Sequence, residues 1–401
     1  MDFIKAVEDS TGSFEAPKRF YYWASLAIVS AVLKDRVFFD MGGNYKLYPN
    51  IYVLLYGPSG VRKGPAISLA QKVVKLVDTT RVINGRTSIE AIIKELGHIQ
   101  TRPGKEPFKD SAGFVVASEL SSSIISNPSA MDVMTDMYDR IYNEGEWNYK
   151  LKVGESVKLV KPTITWLSGT NEALFREFVP EKNIHGGLLG RTFIISETKR
   201  QSINSLMFAA PIVPDPEALA AMLLPLTKLT GQFKADDTVR HAIDEWYKRF
   251  VTEIEPTLGD ETGFVSRVLD YIIKASMLIS SARRQDHEIN IDDVKEAMEI
   301  ILPLIQPAKK VVNSLKKLDD SAVSKRGLVL NYLTNRPQYT CTRQEILKNL
   351  GMRLDHEDLD KVVNLMLQMG VVTVGNAGSQ VNYTLNVGNE KVAKWLEQYK
   401  S

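Results

Sequence analysis

This sequence has almost no cysteine, no long apolar segment and no excess of one charge. Its 401 residues include one cysteine, Cys341, which excludes an internal disulfide framework and is typical of a reducing compartment. The most apolar early stretch, Tyr21 to Leu33, is shorter than the roughly 20 residues that cross a bilayer. Residues 1–5 do not have the pattern of a signal peptide. We therefore expect a cytoplasmic protein that does not interact with membranes.

The charge of the chain is nearly balanced. Its 50 lysines and arginines face 48 aspartates and glutamates, which leaves a formal net charge of +2. No overall basic field therefore attracts nucleic acid. Any contact with DNA must come from a local patch, or from several subunits that each supply a few cations. The length predicts two or three domains with a large buried core.

The most informative stretch is a glycine-rich turn between an apolar run and a predicted helix. Residues 51–56 are typical of a buried strand of a parallel sheet, and Pro65 is favoured at the first position of a helix. Glycines let backbone N–H groups approach phosphate oxygens, while the helix N-terminus and a lysine add positive charge. An ordinary βα turn is the alternative. The pattern predicts a phosphate-binding loop formed by Gly57, Pro58, Ser59, Gly60, Val61, Arg62, Lys63 and Gly64.

Two positions of this loop depart from the usual G-x-x-x-x-G-K-[ST] pattern. Arg62 stands where a glycine is expected, and Gly64 stands where a serine or threonine is expected. A second cation beside phosphates is tolerable. The missing hydroxyl matters more, because that group normally binds Mg²⁺.

Two further apolar runs end in polar residues. Residues 113–117 precede Ser118 and Glu119, and residues 162–170 precede Asn171. Ligands of an open α/β sheet bind at the carboxyl ends of its strands. We expect Glu119 to polarise an attacking water, Ser118 to stand where a magnesium ligand is usual, and Asn171 to orient water against a γ-phosphate. The alternative for Glu119 is an exposed acid that merely follows a strand.

Residues 146–160 alternate around a central glycine and predict a hairpin that carries Lys150, Lys152 and Lys158. These lysines either keep the hairpin soluble or, contributed by several subunits of a ring, together bind the phosphate backbone of a single DNA strand. Farther along the chain, Arg191 and Arg267 precede an apolar strand and a long helix. Arg191 reads otherwise as a surface arginine at a strand start, and Arg267 as one member of an ion pair.

The predicted organisation has five parts. Prolines near residues 199–216 mark the exit from a sheet domain, and helical periodicity then continues to about residue 317. Three predicted helices and a hairpin near the end of the chain describe a winged helix. The parts are an N-terminal helical segment (1–40), an α/β core (41–205), a helical lid (206–320), a winged-helix domain (326–386) and a C-terminal helix (387–401).

In this order the motifs resemble those of AAA+ ATPases. They are most similar to helicase-like P-loop proteins of phages and mobile elements and to minichromosome-maintenance replicative helicases, over roughly residues 45–385. The resemblance implies an α/β fold, with a three-layer P-loop core around a parallel sheet, an all-α lid and a C-terminal winged helix. It also implies these roles: Walker A for Gly57 to Gly64, Walker B for Glu119, sensor 1 for Asn171, arginine finger for Arg191, sensor 2 for Arg267 and pore lysine for Lys152.

The function implied by the resemblance is that of an ATP-dependent DNA helicase or translocase in the replication of a phage or mobile element. Its cofactors would be ATP and Mg²⁺, and its partners single-stranded or forked DNA, other subunits of a hexameric ring, and a separate primase or initiator protein. The irregular loop leaves two alternatives open. One is a nucleotide-binding switch with weak turnover, such as a helicase loader or adaptor. The other is a structural oligomer that does not bind nucleotide.

Overall fold

A computed structural model shows two compact units, residues 1–312 and 313–401. Each unit is described here by itself. The predicted boundaries at residues 40 and 205 fall within the first unit. The structure describes residues 2–43, 45–84, 87–97, 100–102, 105–108, 110–119, 128–140, 146–149, 156–178, 187–203, 214–259, 262–309, 321–350, 354–377, 380–390 and 392–393.

The first unit contains both helices and strands. Its helices are α1 (Phe3–Thr11), α2 (Lys18–Leu33), α3 (Lys63–Val77), α4 (Ile89–Gly97), α5 (Pro128–Arg140), α6 (Glu172–Phe178), α7 (Pro216–Leu223), α8 (Asp237–Arg249), α9 (Glu255–Leu258), α10 (Val268–Arg283) and α11 (Ile291–Ile301). Its strands are β1 (Val37–Asp40), β2 (Lys46–Leu47), β3 (Tyr52–Tyr56), β4 (Arg81–Asn84), β5 (Gln100–Arg102), β6 (Lys105–Phe108), β7 (Ala112–Ala117), β8 (Glu146–Tyr149), β9 (Val157–Val160), β10 (Thr163–Thr170), β11 (Thr192–Ser196), β12 (Gly231–Ala235) and β13 (Glu288–Ile289).

A five-stranded sheet in the order β11-β3-β10-β7-β4 forms the centre of this unit, and all its strands are parallel. Every residue of β7 and β10 is buried, as is typical of parallel strands that are covered on both faces. The predicted α/β class with a parallel sheet is therefore confirmed. Because β10 lies between β3 and β7, the carboxyl ends of these three strands meet at one edge.

Helix α2 packs against the sheet and is buried around most of its circumference, as expected of a helix that is apolar on all sides. The Trp23 ring lies 4.9 Å from the ring of Phe193 on β11. The Ser30 and Thr165 hydroxyls form a 2.6 Å hydrogen bond that joins α2 to β10. The N-terminal helices thus share one hydrophobic core with the sheet and with α10.

The segment predicted as an all-α lid differs from the expectation, because it contains β12 and β13. These strands form a second sheet in the order β13-β12-β1-β2. In β12 only Phe233 is buried, so its five residues carry a weak strand pattern between stronger helical ones. The strand forms because β1, almost 200 residues earlier in the chain, offers a parallel edge from Val37 to Phe39.

In the described residues of the second unit there are three α-helices and a three-stranded antiparallel sheet in the order β14-β16-β15. Its core includes Val329, Ile346 and Leu359. The three helices and the hairpin β15–β16 follow the predicted order, while the winged-helix assignment stays a prediction. Most of the predicted C-terminal helix, residues 394–401, lies outside the described residues. The elements are α12 (Ser321–Thr334), β14 (Thr340–Thr342), α13 (Arg343–Leu350), α14 (His356–Gln368), β15 (Val372–Ala377) and β16 (Gln380–Leu385).

None of the helices in the described ranges combines the length and the apolarity that crossing a membrane requires.

Candidate functional site

A cavity of about 390 Å³ opens at the edge where β3, β7 and β10 end. Three segments that are far apart in the sequence line it, and each was predicted to carry part of a phosphate site. The strand order explains why they meet, since the three strand ends are neighbours. The lining residues are Ser59, Gly60, Arg62, Lys63, Gly64 and Pro65 after β3, Ser118 and Glu119 after β7, and Thr170, Asn171 and Leu174 after β10.

The turn after β3 has its shape because glycine stands at two positions. A Cβ on Gly57 would lie 2.2 Å from the carbonyl oxygen of Glu197, so only glycine fits beside the end of β11. Gly60 has a φ of +89°, in the left-handed region that other residues seldom adopt. The buried side chain of Val61 anchors the turn in the core. Together with Pro58, these residues form an open loop that leads into α3.

Lys63 is the first residue of α3, and its ammonium group lies over the loop. Its Nζ atom donates to the carbonyl oxygens of Gly57 at 2.7 Å and of Pro58 at 3.0 Å. Burial lowers the pKa of Lys63, and the nearby charge of Glu119 only partly offsets this. A phosphate oxygen is a stronger acceptor for an ammonium group than a carbonyl oxygen is. Lys63 therefore stands where it can transfer these hydrogen bonds to a phosphate.

Arg62 occupies the position where the usual loop has glycine, and it has the backbone conformation of a glycine (φ 67°, ψ 44°). A left-handed conformation costs a non-glycine residue about 1–2 kcal/mol. The side chain is held by an ion pair, in which Nε donates to Glu15 Oε2 at 2.8 Å. The left-handed conformation thus persists here without glycine.

Glu119 and Asn171 lie at the ends of neighbouring strands. Ser118 and Glu119 are exposed at the end of β7. The Asn171 Oδ1 atom accepts a hydrogen bond from the Leu174 N–H at 3.0 Å and so caps the start of α6. Since the oxygen is used as a cap, the amide –NH₂ of Asn171 is the donor that this side chain offers to the cavity.

The residues around this cavity fit a magnesium ion poorly. The two positions that usually supply its protein ligands, after the loop lysine and at the end of the second strand, hold Gly64 and Ser118. Gly64 has no side chain to bind a metal. Across the described part of the chain, no group of three His, Cys, Asp or Glu side chains is placed to hold a metal ion. Ser118 is left as the predicted ligand, beside the single carboxylate of Glu119.

Arg191 and Arg267 do not line the cavity. Arg191 immediately precedes β11, whose first residue, Thr192, pairs with Tyr52 at the start of β3. It therefore lies at the opposite end of the sheet from the phosphate loop. Arg267, at the start of α10, donates to the carbonyl oxygen of Gly263. Burial raises the pKa of Tyr271, and the nearby charges of Arg267 and Arg191 only partly offset this.

The expected role of Arg191, presenting its charge to a neighbouring subunit, stays a prediction. Its side chain is buried and pairs with Asp139 of the same chain, with Nε 2.9 Å from Oδ1. Nη1 donates to the Gly187 carbonyl oxygen at 2.9 Å. A guanidinium group used in this way points into its own subunit. Arg191 does stand at a strand start, as in the alternative interpretation, but its side chain is buried rather than on the surface.

The predicted DNA-binding lysines are only partly within the described structure. Lys150 and Lys152 lie outside the described residues. Lys158 is an exposed residue of β9, which pairs with β8 in the predicted antiparallel hairpin. Lys158 does not line the cavity.

Sequence reasoning missed two charged residues beside the loop. Glu15 lies between α1 and α2, and Arg200 follows β11. The Arg200 Nε atom donates to the carbonyl oxygen of Gly60 at 2.9 Å, and its Nη1 atom lies 3.2 Å from each oxygen of Glu15. No short-range pattern identifies them, because Glu15 lies 47 residues before its loop partner Arg62, and Arg200 lies 140 residues after its loop partner Gly60.

A second cavity, of about 300 Å³, adjoins the first, and Pro65 lines both. Its walls are mainly apolar, with Phe14, Leu69 and two prolines, Pro214 and Pro216, together with Tyr21, Ser68 and Lys72. The Tyr21 side chain is 1% exposed, and among the described residues no group hydrogen-bonds to its hydroxyl. An apolar cleft with a few polar groups is typical of a small-molecule site.

The two cavities thus offer a polar part beside the loop and an apolar part beside α2. No model of a known protein family matches the chain, and no curated protein matches it.

Proposed function

We propose that this protein binds a nucleoside triphosphate in the manner of AAA+ P-loop proteins. The observation that carries the proposal is the convergence of Lys63, Glu119 and Asn171, from three adjacent strand ends, on one cavity beside a glycine-rich loop. In this proposal the backbone N–H groups of residues 59, 60 and 62–64, at the N-terminus of α3, hold the phosphates. Lys63 exchanges its loop carbonyls for phosphate oxygens.

The same residues supply what slow hydrolysis needs. The Glu119 carboxylate accepts a proton from a water molecule, which attacks the γ-phosphorus in line with the departing diphosphate. The Asn171 –NH₂ group donates to that water or to the γ-phosphate and fixes its direction. Lys63 stabilises the negative charge that develops on the transferred group.

The second cavity is proposed to hold the nucleobase. It begins at Pro65, on the first turn of α3, and continues along Leu69 towards α2. A flat base between Phe14 and the two prolines would bury its apolar faces, and the Tyr21 hydroxyl would gain the hydrogen-bond partner that a buried polar group requires. ATP is the nucleotide that the resemblance implies.

A nucleotide-dependent switch with weak turnover is the function that the site supports best. Gly64 and Ser118 lack the usual metal-binding groups, and Arg191 is engaged within its own chain. Both features favour binding over rapid hydrolysis. The protein would then act as a helicase loader or adaptor, through partner proteins of a replication system.

A ring-forming DNA helicase or translocase is the second candidate. The β8–β9 hairpin and exposed Lys158 support it, since a few cations per subunit suffice when subunits pool them. In a hexamer the edge with Arg191 and Arg267 would have to face the neighbour's nucleotide, and the Arg191–Asp139 pair would have to open.

Thermal unfolding with and without ATP tests nucleotide binding, because a ligand that binds the native state raises Tm. We expect a rise for the native chain and for Lys75→Ala, a change on the exposed side of the same helix, and no rise for Lys63→Ala. A retained response in Lys63→Ala would refute the phosphate-loop assignment. Turnover stimulated by single-stranded DNA would favour the helicase over the switch.

A further inference from the structure

We propose that Arg62 and Arg200 replace the magnesium ion as the groups that neutralise the phosphates, so that nucleotide binds with little dependence on Mg²⁺. This inference rests on the proposed function, since it concerns the same phosphate site. It goes beyond that function by assigning two residues that are absent from the usual loop pattern.

The loop and the neighbouring strand end lack the side chains that usually bind magnesium. Other phosphate-loop NTPases hold Mg²⁺ with the hydroxyl after the lysine and with an aspartate at the end of the neighbouring strand. Here Gly64 and Ser118 occupy these positions, and both line the cavity. Magnesium keeps several waters even in good sites, so a site with neither ligand has little means to select it.

Two arginines that the usual loop pattern does not contain lie beside this loop. Arg62 lines the cavity and immediately precedes α3, and Arg200 donates to the Gly60 carbonyl oxygen at 2.9 Å. The two guanidinium groups therefore lie beside the loop, one on residue 62 and one at residue 60, and of the two arginines Arg62 lines the cavity whereas Arg200 does not. Each brings one positive charge, and the Glu15 carboxylate that they share offsets one of the two. Arginine keeps its charge at neutral pH and binds phosphate through two parallel hydrogen bonds.

These two arginines already bind one anionic group together, the carboxylate of Glu15. Arg62 Nε lies 2.8 Å from one oxygen of Glu15, and Arg200 Nη1 lies 3.2 Å from both. The Glu15 side chain is only 13% exposed, whereas those of Arg62 and Arg200 are 51% and 38% exposed. The carboxylate thus holds both guanidinium groups at the loop, and both arginines keep part of their side chains exposed to solvent.

The test is the affinity of the full chain for ATP, measured by calorimetry in Mg²⁺ and again in excess EDTA. We expect the native Kd to change less than about threefold on chelation, because few protein groups bind the metal. The double variant Arg62→Gln/Arg200→Gln is expected to bind roughly tenfold more weakly in EDTA, since it loses hydrogen bonds from charged donors. Its affinity should then depend on Mg²⁺. Arg240→Gln, which also removes an exposed arginine that donates to a backbone carbonyl, should behave as the native chain does.

Two results would overturn the inference. One is a native affinity that falls tenfold or more in EDTA, on the scale expected of a metal-dependent site. The other is a double variant that binds ATP in EDTA as tightly as the native chain. If the double variant does not fold, judged by circular dichroism, the native comparison decides alone. Absence of ATP binding in both buffers would instead refute the proposed function.

Discussion

Arg191 holds both carboxylate oxygens of Asp139, with Nε 2.9 Å from Oδ1 and Nη2 on Oδ2. The pair ties the start of β11 to the end of α5. Burial lowers the pKa of Arg191, but the hydrogen bond and the charge of Asp139 outweigh this and raise it. The arginine therefore stays charged and engaged within its own subunit.

Replacing Arg191 by Met should lower the free energy of unfolding by about 2 kcal/mol, because hydrogen bonds to charged groups contribute about 1.5–3 kcal/mol. The Asp139 side chain is 41% exposed, so solvent screening keeps the loss below that of a fully buried pair. Urea denaturation of Arg191→Met, Asp139→Asn and the double variant measures the coupling. Additive effects would show that the pair is not coupled. Unchanged stability with loss of ATP turnover would favour a role at a neighbour's nucleotide.

Gly64→Ser should create a magnesium dependence that the native chain lacks. A Cβ at Gly64 meets no atom within 4 Å, so the side chain fits without strain. The new hydroxyl would stand at the usual metal-binding position after Lys63. We expect calorimetry to show ATP binding that is several-fold tighter with Mg²⁺ than with EDTA. Gly64→Ala is the matched control, since it adds the Cβ without the hydroxyl, and an equal gain there would refute the prediction.

Tyr21→Phe should weaken ATP binding without destabilising the protein. The hydroxyl is buried and has no partner among the described residues, so its removal does not break a hydrogen bond of the free protein. If it contacts the base, affinity should fall about fivefold, the effect of one neutral hydrogen bond.

Tyr22→Phe is the contrasting control, because the Tyr22 hydroxyl donates to Glu296 at 2.6 Å. That change should lower stability and leave affinity unaltered. Calorimetry and urea denaturation of both variants distinguish the two patterns. Equal ATP affinity of Tyr21→Phe and the native chain would exclude the hydroxyl from the base site.

Lys274 should make stability rise with pH above neutrality. Its Nζ atom donates to the backbone and side-chain oxygens of Asn50 at 2.9 and 2.8 Å, and burial lowers the pKa of Lys274 to about 7. Between that value and the usual 10.5, the unfolded chain binds the proton and the folded chain does not. Raising the pH through this window therefore favours folding, by at most about 1.4 kcal/mol per pH unit.

Urea denaturation at several pH values from neutral to about 9 measures this slope. Lys274→Met removes the titrating group, so we expect the free energy of unfolding to rise more steeply with pH in the native chain than in this variant. Identical pH profiles would show that Lys274 keeps an ordinary pKa in the folded protein.

The sequence predicts well that the glycine-rich loop and the two polar strand ends lie together, because the rule involved is local. Each apolar run ends in its polar residue, and parallel strands bring such ends together. Glu119 and Asn171 were found in this way, although they lie more than 50 residues from the loop. What could not be predicted depends on distant partners. Asp139 lies on the polar face of a helix, where solvation is the usual expectation, and nothing in its surroundings points to Arg191.

The same limit applies to Glu15, Arg200 and Lys274. The first two meet across 185 residues of sequence. Lys274 sits in an amphipathic helical pattern as an ordinary polar residue, and its burial follows from the packing of α10 against other elements. The pairing of β12 with β1 also joins segments that carry only weak strand patterns of their own.

The hydrogen bond from the Leu174 N–H to Asn171 links the cavity to the start of α6. Asn171 reaches the cavity and also holds the first turn of that helix through Leu174. If the proposed nucleotide binds here, a departing γ-phosphate that lets this amide turn would release the start of the helix in the same motion. Under the proposed function, gain or loss of one phosphate would then be transmitted as the fraying or tightening of a helix, through a single side chain.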